Sequence, residues 1–188
     1  KKRLQQAMRE GDSSYPCAQA VAQADAGAEV LDVNAGLPGI DEPATLEQLV
    51  RDLQAVTDLP LQLDSSNPDA LSHALRIYNG KPIVNSVNGE QSTLDMILPL
   101  CKKYGAAVVG LALDEHGIPA TADGRFAIAQ RIVKAANAVG IPNEDIYIDC
   151  LTLTASAQQE GAVQTLEALT RCKKELGVRT VLGVSNIS

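Results

Sequence analysis

Residues 30–36 read VLDVNAG, a short apolar run that ends in the polar tip Asn34. Later runs have the same form, each too short for a helix and each followed by an amide or a carboxylate: Asp64, Asn85, Asp114, Asp149 and Asn186. Apolar residues are continuous in these runs, which is typical of parallel strands buried on both faces. Polar tips at the carboxyl ends of such strands are where a (β/α) barrel keeps its site.

Amphipathic segments alternate with these runs. Residues 46–56 carry apolar side chains at three- and four-residue spacing behind Pro43, which predicts a helix with one buried face. Asn67 followed by Pro68 is a typical helix start. Further stripes follow within residues 70–78, 94–101, 126–136 and 163–176. Strands that alternate with helices in this way predict parallel βαβ units.

The fold class follows from this alternation and from a missing motif. No glycine-rich nucleotide-binding loop follows any predicted strand, so a barrel is favoured over an open doubly wound sheet. The chain has 188 residues, whereas a complete barrel typically has about 250. We therefore predict an α/β fold of the TIM-type (β/α)8 class, truncated at both ends, with residues 1–188 as a single domain that lacks the first and last strands.

Composition excludes several classes of protein. The formal charge of −7, from 16 basic and 23 acidic side chains, argues against nucleic acid and anionic membrane surfaces as partners. No apolar run approaches the roughly 20 residues that span a bilayer. The four cysteines lie far apart without a Cys-x-x-Cys pair, so neither disulfides nor a zinc site is expected. Reduced thiols fit a cytoplasmic protein best.

Two predicted tips carry carboxylates, Asp64 and Asp149. A carboxylate at such a tip can bind an amidine or guanidine-like edge through two charge-assisted hydrogen bonds. Asp64 could instead serve the N-terminus of the helix that follows it. Two carboxylates that face one axis repel each other, so a ligand with donors between them is expected.

Amides make up most of the other tips. Residues 83–90, IVNSVNGE, form the densest polar cluster, and the amide of Asn85 offers both a donor and an acceptor to a heteroaromatic ring edge. The alternative is an elaborate loop that turns at Gly89. Asn34 could likewise cap a turn, while Asn186 adds one more tip amide near the end of the sequence.

Other chemistry finds little support. His116 lacks neighbours at ligand spacing and is more simply part of a solvated loop, and His73 fits the surface of a helix. Neither histidine is a convincing general base. Cys17 has no activating partner, and no nucleophile elbow occurs, so we expect neither a metal nor a covalent intermediate.

The tips and their flanking residues resemble the pterin-binding methyltransferase domain. This is the methyltetrahydrofolate-binding barrel of cobalamin-dependent methionine synthase and of methyltetrahydrofolate:corrinoid methyltransferases. The resemblance covers nearly the whole chain, in the right order, through residues 31–36, 63–65, 84–90, 114–119 and 183–188. It implies a barrel of the dihydropteroate-synthase-like kind.

The resemblance also implies a site and a reaction. Asp64, Asn85 and Asp149 would bind the pyrimidine edge of the pterin, with Asn34 lining the cavity. Asn186 would bind near the methyl-bearing nitrogen and act as the catalytic residue. The implied reaction passes the methyl group of 5-methyltetrahydrofolate to cob(I)alamin of a corrinoid domain or protein, as in methionine synthesis and one-carbon metabolism. A homodimer is left open.

Departures from the family pattern keep two alternatives open. Cys150 stands where the family usually has proline, and the family's first strand and its last strand with Gly-Leu-Pro-x-Arg have no counterpart in the sequence. One alternative is a dihydropteroate synthase-like pterin enzyme, disfavoured because the Asn34 loop continues as Ala-Gly-Leu-Pro-Gly. The other is a non-catalytic folate-binding module.

Overall fold

A computed structural model of the chain describes residues 2–152 and 159–183. The chain packs as two compact units, residues 1–85 and 86–188. That residues 1–188 form one barrel domain without its first and last strands stays a prediction.

The first unit alternates helices with parallel strands. Strands β1 (Leu31–Asn34) and β2 (Leu61–Asp64) pair in parallel, as do β2 and β3 (Ile83–Val87), and Asn34, Asp64 and Asn85 stand opposite one another in this register. The elements are α1 (Lys2–Glu10), α2 (Ser14–Asp25), β1 (Leu31–Asn34), α3 (Glu42–Gln54), β2 (Leu61–Asp64), α4 (Pro68–Ile77) and the start of β3 (Ile83–Val87).

Capping residues fix where the helices of this unit begin. The Asp41 carboxylate accepts from the amide of Ala44 at the start of α3, and the Asn67 side chain accepts from two amides at the start of α4. Both starts agree with the sequence prediction. Val56, predicted as part of the buried stripe of α3, is instead 43% exposed because the helix ends at Gln54.

The second unit has the same alternation. Strand β4 (Ala107–Leu111) pairs in parallel with β5 (Ile146–Asp149), and β5 with β6 (Arg179–Val181). A 3-10 turn (Asn143–Asp145) precedes β5, and a π-helical turn (Cys172–Leu176) precedes β6. The other elements are α5 (Gln91–Tyr104), β4 (Ala107–Leu111), α6 (Ala122–Ala138), β5 (Ile146–Asp149), α7 (Gln159–Arg171) and β6 (Arg179–Val181).

Packing in this unit depends on a close approach of α6 to β4. A side chain at Gly110 would place its Cβ 2.8 Å from Cγ2 of Ile132 and 3.1 Å from Cδ1 of Ile148. Only glycine lets the helix lie this close to the strand.

Two predictions for this unit are wrong. Asp114 does not end a strand: β4 stops at Leu111, and Asp114 forms a turn with Gly117. The apolar stripe of α7 is not fully buried either, since Val163 and Leu166 are 61% and 59% exposed. The buried face of that helix is made by small or polar residues instead, Thr165 and Ala168.

Among the residues described, no helix is long and apolar enough to cross a membrane.

Candidate functional site

Three polar side chains form a row across the C-terminal ends of β1, β2 and β3. Asn34, Asp64 and Asn85 are register partners, so their side chains lie on one face of the sheet, and we call them the tip row. Nδ2 of Asn34 donates to Oδ2 of Asp64 over 2.9 Å. The structure therefore brings together three of the residues predicted for the site.

The Asn34 amide has a fixed orientation because both of its ends are bonded. Its Oδ1 accepts from the amide of Gly36 at 2.9 Å, which leaves Nδ2 facing Asp64. The turn-capping role considered for Asn34 is thus real, and the same side chain also serves the tip row. A Cβ at Gly36 would lie 3.3 Å from Oδ1 of Asn34, so this bond depends on a small residue there.

Asp64 does not cap the helix that follows it. The start of α4 is capped by the Asn67 side chain, while Asp64 accepts from Asn34. Buried Ser65 secures the link between strand and helix: its hydroxyl donates to Glu42 over 2.5 Å, and its amide donates to the carbonyl of Asn85 over 2.9 Å. These contacts fix the backbone that follows Asp64.

A second polar pair lies one layer below the tip row. Nε2 of Gln62 donates to Oδ1 of Asp32 over 2.6 Å, and the two residues are register partners in β1 and β2. Burial raises the pKa of Asp32; the Gln62 bond opposes this shift and the charge of Asp64 adds to it. Sequence reasoning missed Gln62, although its place two residues before Asp64 puts it on the same face.

Residues 88–90 form a loop tied to the end of β4. The amide of Gly89 donates to the carbonyl of Leu113 over 2.7 Å, and its carbonyl accepts from Arg131 at 3.0 Å. Arg131 also pairs with Asp114 at 3.5 Å. The polar cluster that begins at Asn85 is therefore partly an ordered loop, and Asp114 supports that loop.

Asp149, the other predicted carboxylate, lies in the second unit at the end of β5. Its Oδ1 accepts from the amide of Leu151 at 2.7 Å. Burial raises the pKa of Asp149, and the Leu151 amide opposes the shift. Leu151 has a φ of 57°, in the left-handed region that is unfavourable for a residue with a branched side chain.

Sequence reasoning missed Arg125, which reaches this tip from α6. Its guanidinium is buried and donates to the carbonyls of Cys150 and Leu151 over 3.1 and 3.0 Å. An arginine near the start of an amphipathic helix carries no signal that sets it apart from an exposed one.

Asn186, predicted as the catalytic residue, lies outside the described residues. Within residues 2–152 and 159–183, no three His, Cys, Asp or Glu side chains are grouped closely enough to hold a metal ion.

Solved structures with a similar backbone include dihydropteroate synthases. The enzyme of Xanthomonas albilineans with 4-aminobenzoic acid superposes with a TM-score of 0.73 at 22% identity, covering 94% of this chain and 66% of that one. The Yersinia pestis enzyme gives a TM-score of 0.61 at 15% identity, covering 88% and 65%. At such identities the likeness shows the fold, and it confirms the predicted α/β class with the TIM-barrel-like topology of this group.

Curated relatives include methionine synthases. Those of Mycobacterium leprae (strain TN) and Mycobacterium tuberculosis (strain ATCC 25618 / H37Rv) are 33% and 35% identical over 177 and 173 residues. These matches cover 88% and 86% of this chain, but the chain spans only 15% and 14% of those proteins.

A shorter relative is the methylcorrinoid:tetrahydrofolate methyltransferase of Eubacterium limosum. It is 27% identical over 190 residues, a match that covers 98% of this chain and 69% of that protein. The family model described as pterin binding enzyme matches residues 2–188, almost the entire sequence. This chain belongs to the pterin binding enzyme family.

Proposed function

We propose that this chain binds the pterin ring of 5-methyltetrahydrofolate and positions its methyl group for transfer to cob(I)alamin on a corrinoid domain or protein. The tip row is the observation that carries the proposal, because the Asp64 carboxylate is held by Asn34 beside the amide of Asn85. The names of the relatives support methyl transfer between a folate and a corrinoid, since they include a methylcorrinoid:tetrahydrofolate methyltransferase and methionine synthases.

The tip row suits the pyrimidine edge of a pterin. That edge carries an amino group, a ring N–H and a carbonyl, so it needs both acceptors and donors. The Asp64 carboxylate accepts in a charge-assisted manner, and the Asn85 amide can both donate and accept. Asn34 keeps the carboxylate oriented before the ligand arrives, which reduces the ordering cost of binding.

Asp149 supplies a second carboxylate in this proposal. Burial raises the pKa of Asp149 because it makes the ionised form less favourable than it is in water, and hydrogen-bond donors of the ligand would offset this cost. Binding of the pterin and ionisation of Asp149 should therefore assist each other.

Methyl transfer from a tertiary amine needs help at the nitrogen, because an amine is a poor leaving group. Asn186 is proposed to donate a hydrogen bond there; because an amide cannot release a proton at a useful pKa, the proton that this nitrogen gains as the methyl group leaves comes from solvent. Cob(I)alamin, when bound by its own domain, supplies the nucleophile for the methyl group. The residues of this chain then contribute orientation and electrostatic stabilisation.

Calorimetric titration tests the proposal. The full-length natural protein should bind 5-methyltetrahydrofolate, and Asp64→Ala and Asn85→Ala should each weaken that binding, Asp64→Ala more than Asn85→Ala, while the fold is retained. Lack of binding by folded wild type would overturn the proposal. Binding without methylation of added cob(I)alamin would identify a folate-binding module instead.

Dihydropteroate synthesis is the second candidate, favoured by the shared fold alone. Incubating the protein with a dihydropterin pyrophosphate and 4-aminobenzoate separates the two candidates. We expect no dihydropteroate from a protein that methylates cob(I)alamin.

A further inference from the structure

Arg125 lies in the first turn of α6 and is buried, with only 2% of its surface exposed. Among the described residues, its hydrogen-bond partners are neutral: the carbonyls of Pro119, Cys150 and Leu151 and the hydroxyl of Thr165. Burial lowers the pKa of this guanidinium, since a buried cation without a carboxylate partner is costly. A leucine or methionine would fill such a site at a lower free-energy cost of burial, so the presence of a cation needs another explanation.

The contacts of Arg125 converge on the backbone that follows Asp149. One nitrogen, Nη1, donates both to the carbonyl of Cys150 at 3.1 Å and to that of Leu151 at 3.0 Å. The Thr165 hydroxyl accepts from the same nitrogen, and its single proton is shared between the carbonyls of Gly161 at 2.9 Å and Leu151 at 3.2 Å. Two consecutive carbonyls can face one donor because Leu151 adopts a left-handed backbone conformation.

This backbone conformation reaches the Asp149 carboxylate through a single residue. The amide of Leu151 donates to Oδ1 of Asp149 over 2.7 Å, while the carbonyl of Leu151 accepts from Arg125. Without the guanidinium, the two carbonyls would lose a charged donor, and Leu151 could relax to a more favourable φ. Its amide would then turn away from the carboxylate.

The conformation at the start of α6 places the guanidinium of Arg125 against these carbonyls. The Thr121 hydroxyl caps the helix by accepting from the amide of Gly124 at 3.1 Å, and Nε of Arg125 donates to the carbonyl of Pro119 over 2.8 Å. A Cβ at Gly124 would lie 2.7 Å from Cβ of Pro119. Glycine at 124 thus lets the loop fold back onto the arginine.

We propose that Arg125 is a positioning residue, which holds the Leu151 amide on Asp149 and so orients the Asp149 carboxylate toward the pterin. This inference rests on the proposed function, in which Asp149 binds the pyrimidine edge. It predicts that substitutions of Arg125 and Asp149 have non-additive effects on ligand affinity. The effect of replacing a purely structural arginine would not depend on Asp149.

A double-mutant cycle on the full-length protein tests whether Arg125 and Asp149 are coupled in ligand binding. The variants are Arg125→Met, Asp149→Ala and the double variant, with calorimetric titration of 5-methyltetrahydrofolate. We expect Arg125→Met to weaken binding at least about tenfold in the wild-type background and less than about twofold in Asp149→Ala. Equal losses in both backgrounds, or unchanged affinity in Arg125→Met, would overturn the inference.

Arg171→Met is the matched control. Arg171 stacks on Phe126, with its guanidinium carbon 4.0 Å from the ring centroid, and pairs with Asp123, so it contacts the same turn of α6. Because none of its described contacts lies at residues 149–151, its removal should leave the affinity within about twofold of wild type. If Arg125→Met fails to fold, Arg125→Lys replaces it in the same cycle, since lysine keeps the charge without the planar set of donors.

A ligand-free readout separates failure of this inference from failure of the proposed function. Hydrogen–deuterium exchange of the Leu151 amide in the free protein should be at least about tenfold faster in Arg125→Met than in wild type, and unchanged in Arg171→Met. Faster exchange in a protein that binds no folate would overturn the proposed function but keep the positioning contact. Unchanged exchange would overturn the inference whatever the protein binds.

Discussion

Nδ2 of Asn34 donates to Oδ2 of Asp64 over 2.9 Å and thereby joins the tips of β1 and β2. Because Oδ1 of Asn34 is occupied by the amide of Gly36, the direction of this bond is set by the protein. The bond uses one carboxylate oxygen of Asp64. Asp64 is only half-buried, so its carboxylate remains accessible to a ligand with two donors.

Asp64→Asn should weaken binding of 5-methyltetrahydrofolate by about 10- to 100-fold, because a charge-assisted hydrogen bond contributes about 1.5 to 3 kcal/mol. Stability should change little, since the side chain is not fully buried. Calorimetric titration and urea unfolding measure the two effects. The control is Asp58→Asn, which removes an exposed carboxylate before the other end of β2 and should not alter affinity.

Asn85→Ala should reduce pterin affinity about three- to tenfold, in line with the loss of a neutral hydrogen bond. Its backbone carbonyl, which accepts from the amide of Ser65, is unaffected by the change. Unfolding free energy should therefore stay within about 0.5 kcal/mol of wild type. Asn79→Ala, at an exposed asparagine before β3, is the matched control, and equal affinity losses in both variants would contradict a role for Asn85.

Asp32→Asn should stabilise the protein at pH 7 but not at pH 4. Burial raises the pKa of Asp32 in the folded chain, so over the pH range between the unfolded and the folded pKa the folded chain retains a proton that the unfolded chain has released. The associated stability is fully present below the unfolded pKa and is lost as pH rises through the folded pKa. Urea unfolding of both proteins at several pH values should show that the free energy of unfolding of the variant increases relative to that of wild type as pH rises. A constant difference would contradict the shift.

Gly89→Ala should destabilise the protein by about 1 to 3 kcal/mol, the usual cost of overpacking. The new Cβ would lie 2.8 Å from Cγ2 of Ile128 and 3.0 Å from the carbonyl oxygen of Leu113. The backbone neighbour cannot move away without breaking its bond to the amide of Gly89. A variant with wild-type urea unfolding would show that the loop accommodates a side chain.

The sequence predicts the strands well because their apolar runs are short, continuous and separated by clear helix caps such as Asn67. It places the tip of β4 wrongly since Ala112 and Leu113 continue the apolar run after the strand has ended at Leu111. The face of α7 is also misassigned, because a threonine that bonds Arg125 faces inward while two larger apolar residues face outward.

The site is predicted less completely than the fold. Residues at strand ends, such as Asn34 and Asp64, are visible in the sequence because parallel strands end at a common edge. Gln62 and Arg125 are not, since their roles depend on which side chains the register and the helix packing place next to them. One sequence records residue types but not these contacts.

Methyl transfer to added cob(I)alamin tests the central claim most directly. The full-length protein, given 5-methyltetrahydrofolate and cob(I)alamin, should form tetrahydrofolate in amounts equal to the methylated corrinoid, and Asp64→Asn should lose most of this rate. Folded wild-type protein that forms no tetrahydrofolate under these conditions would contradict the account.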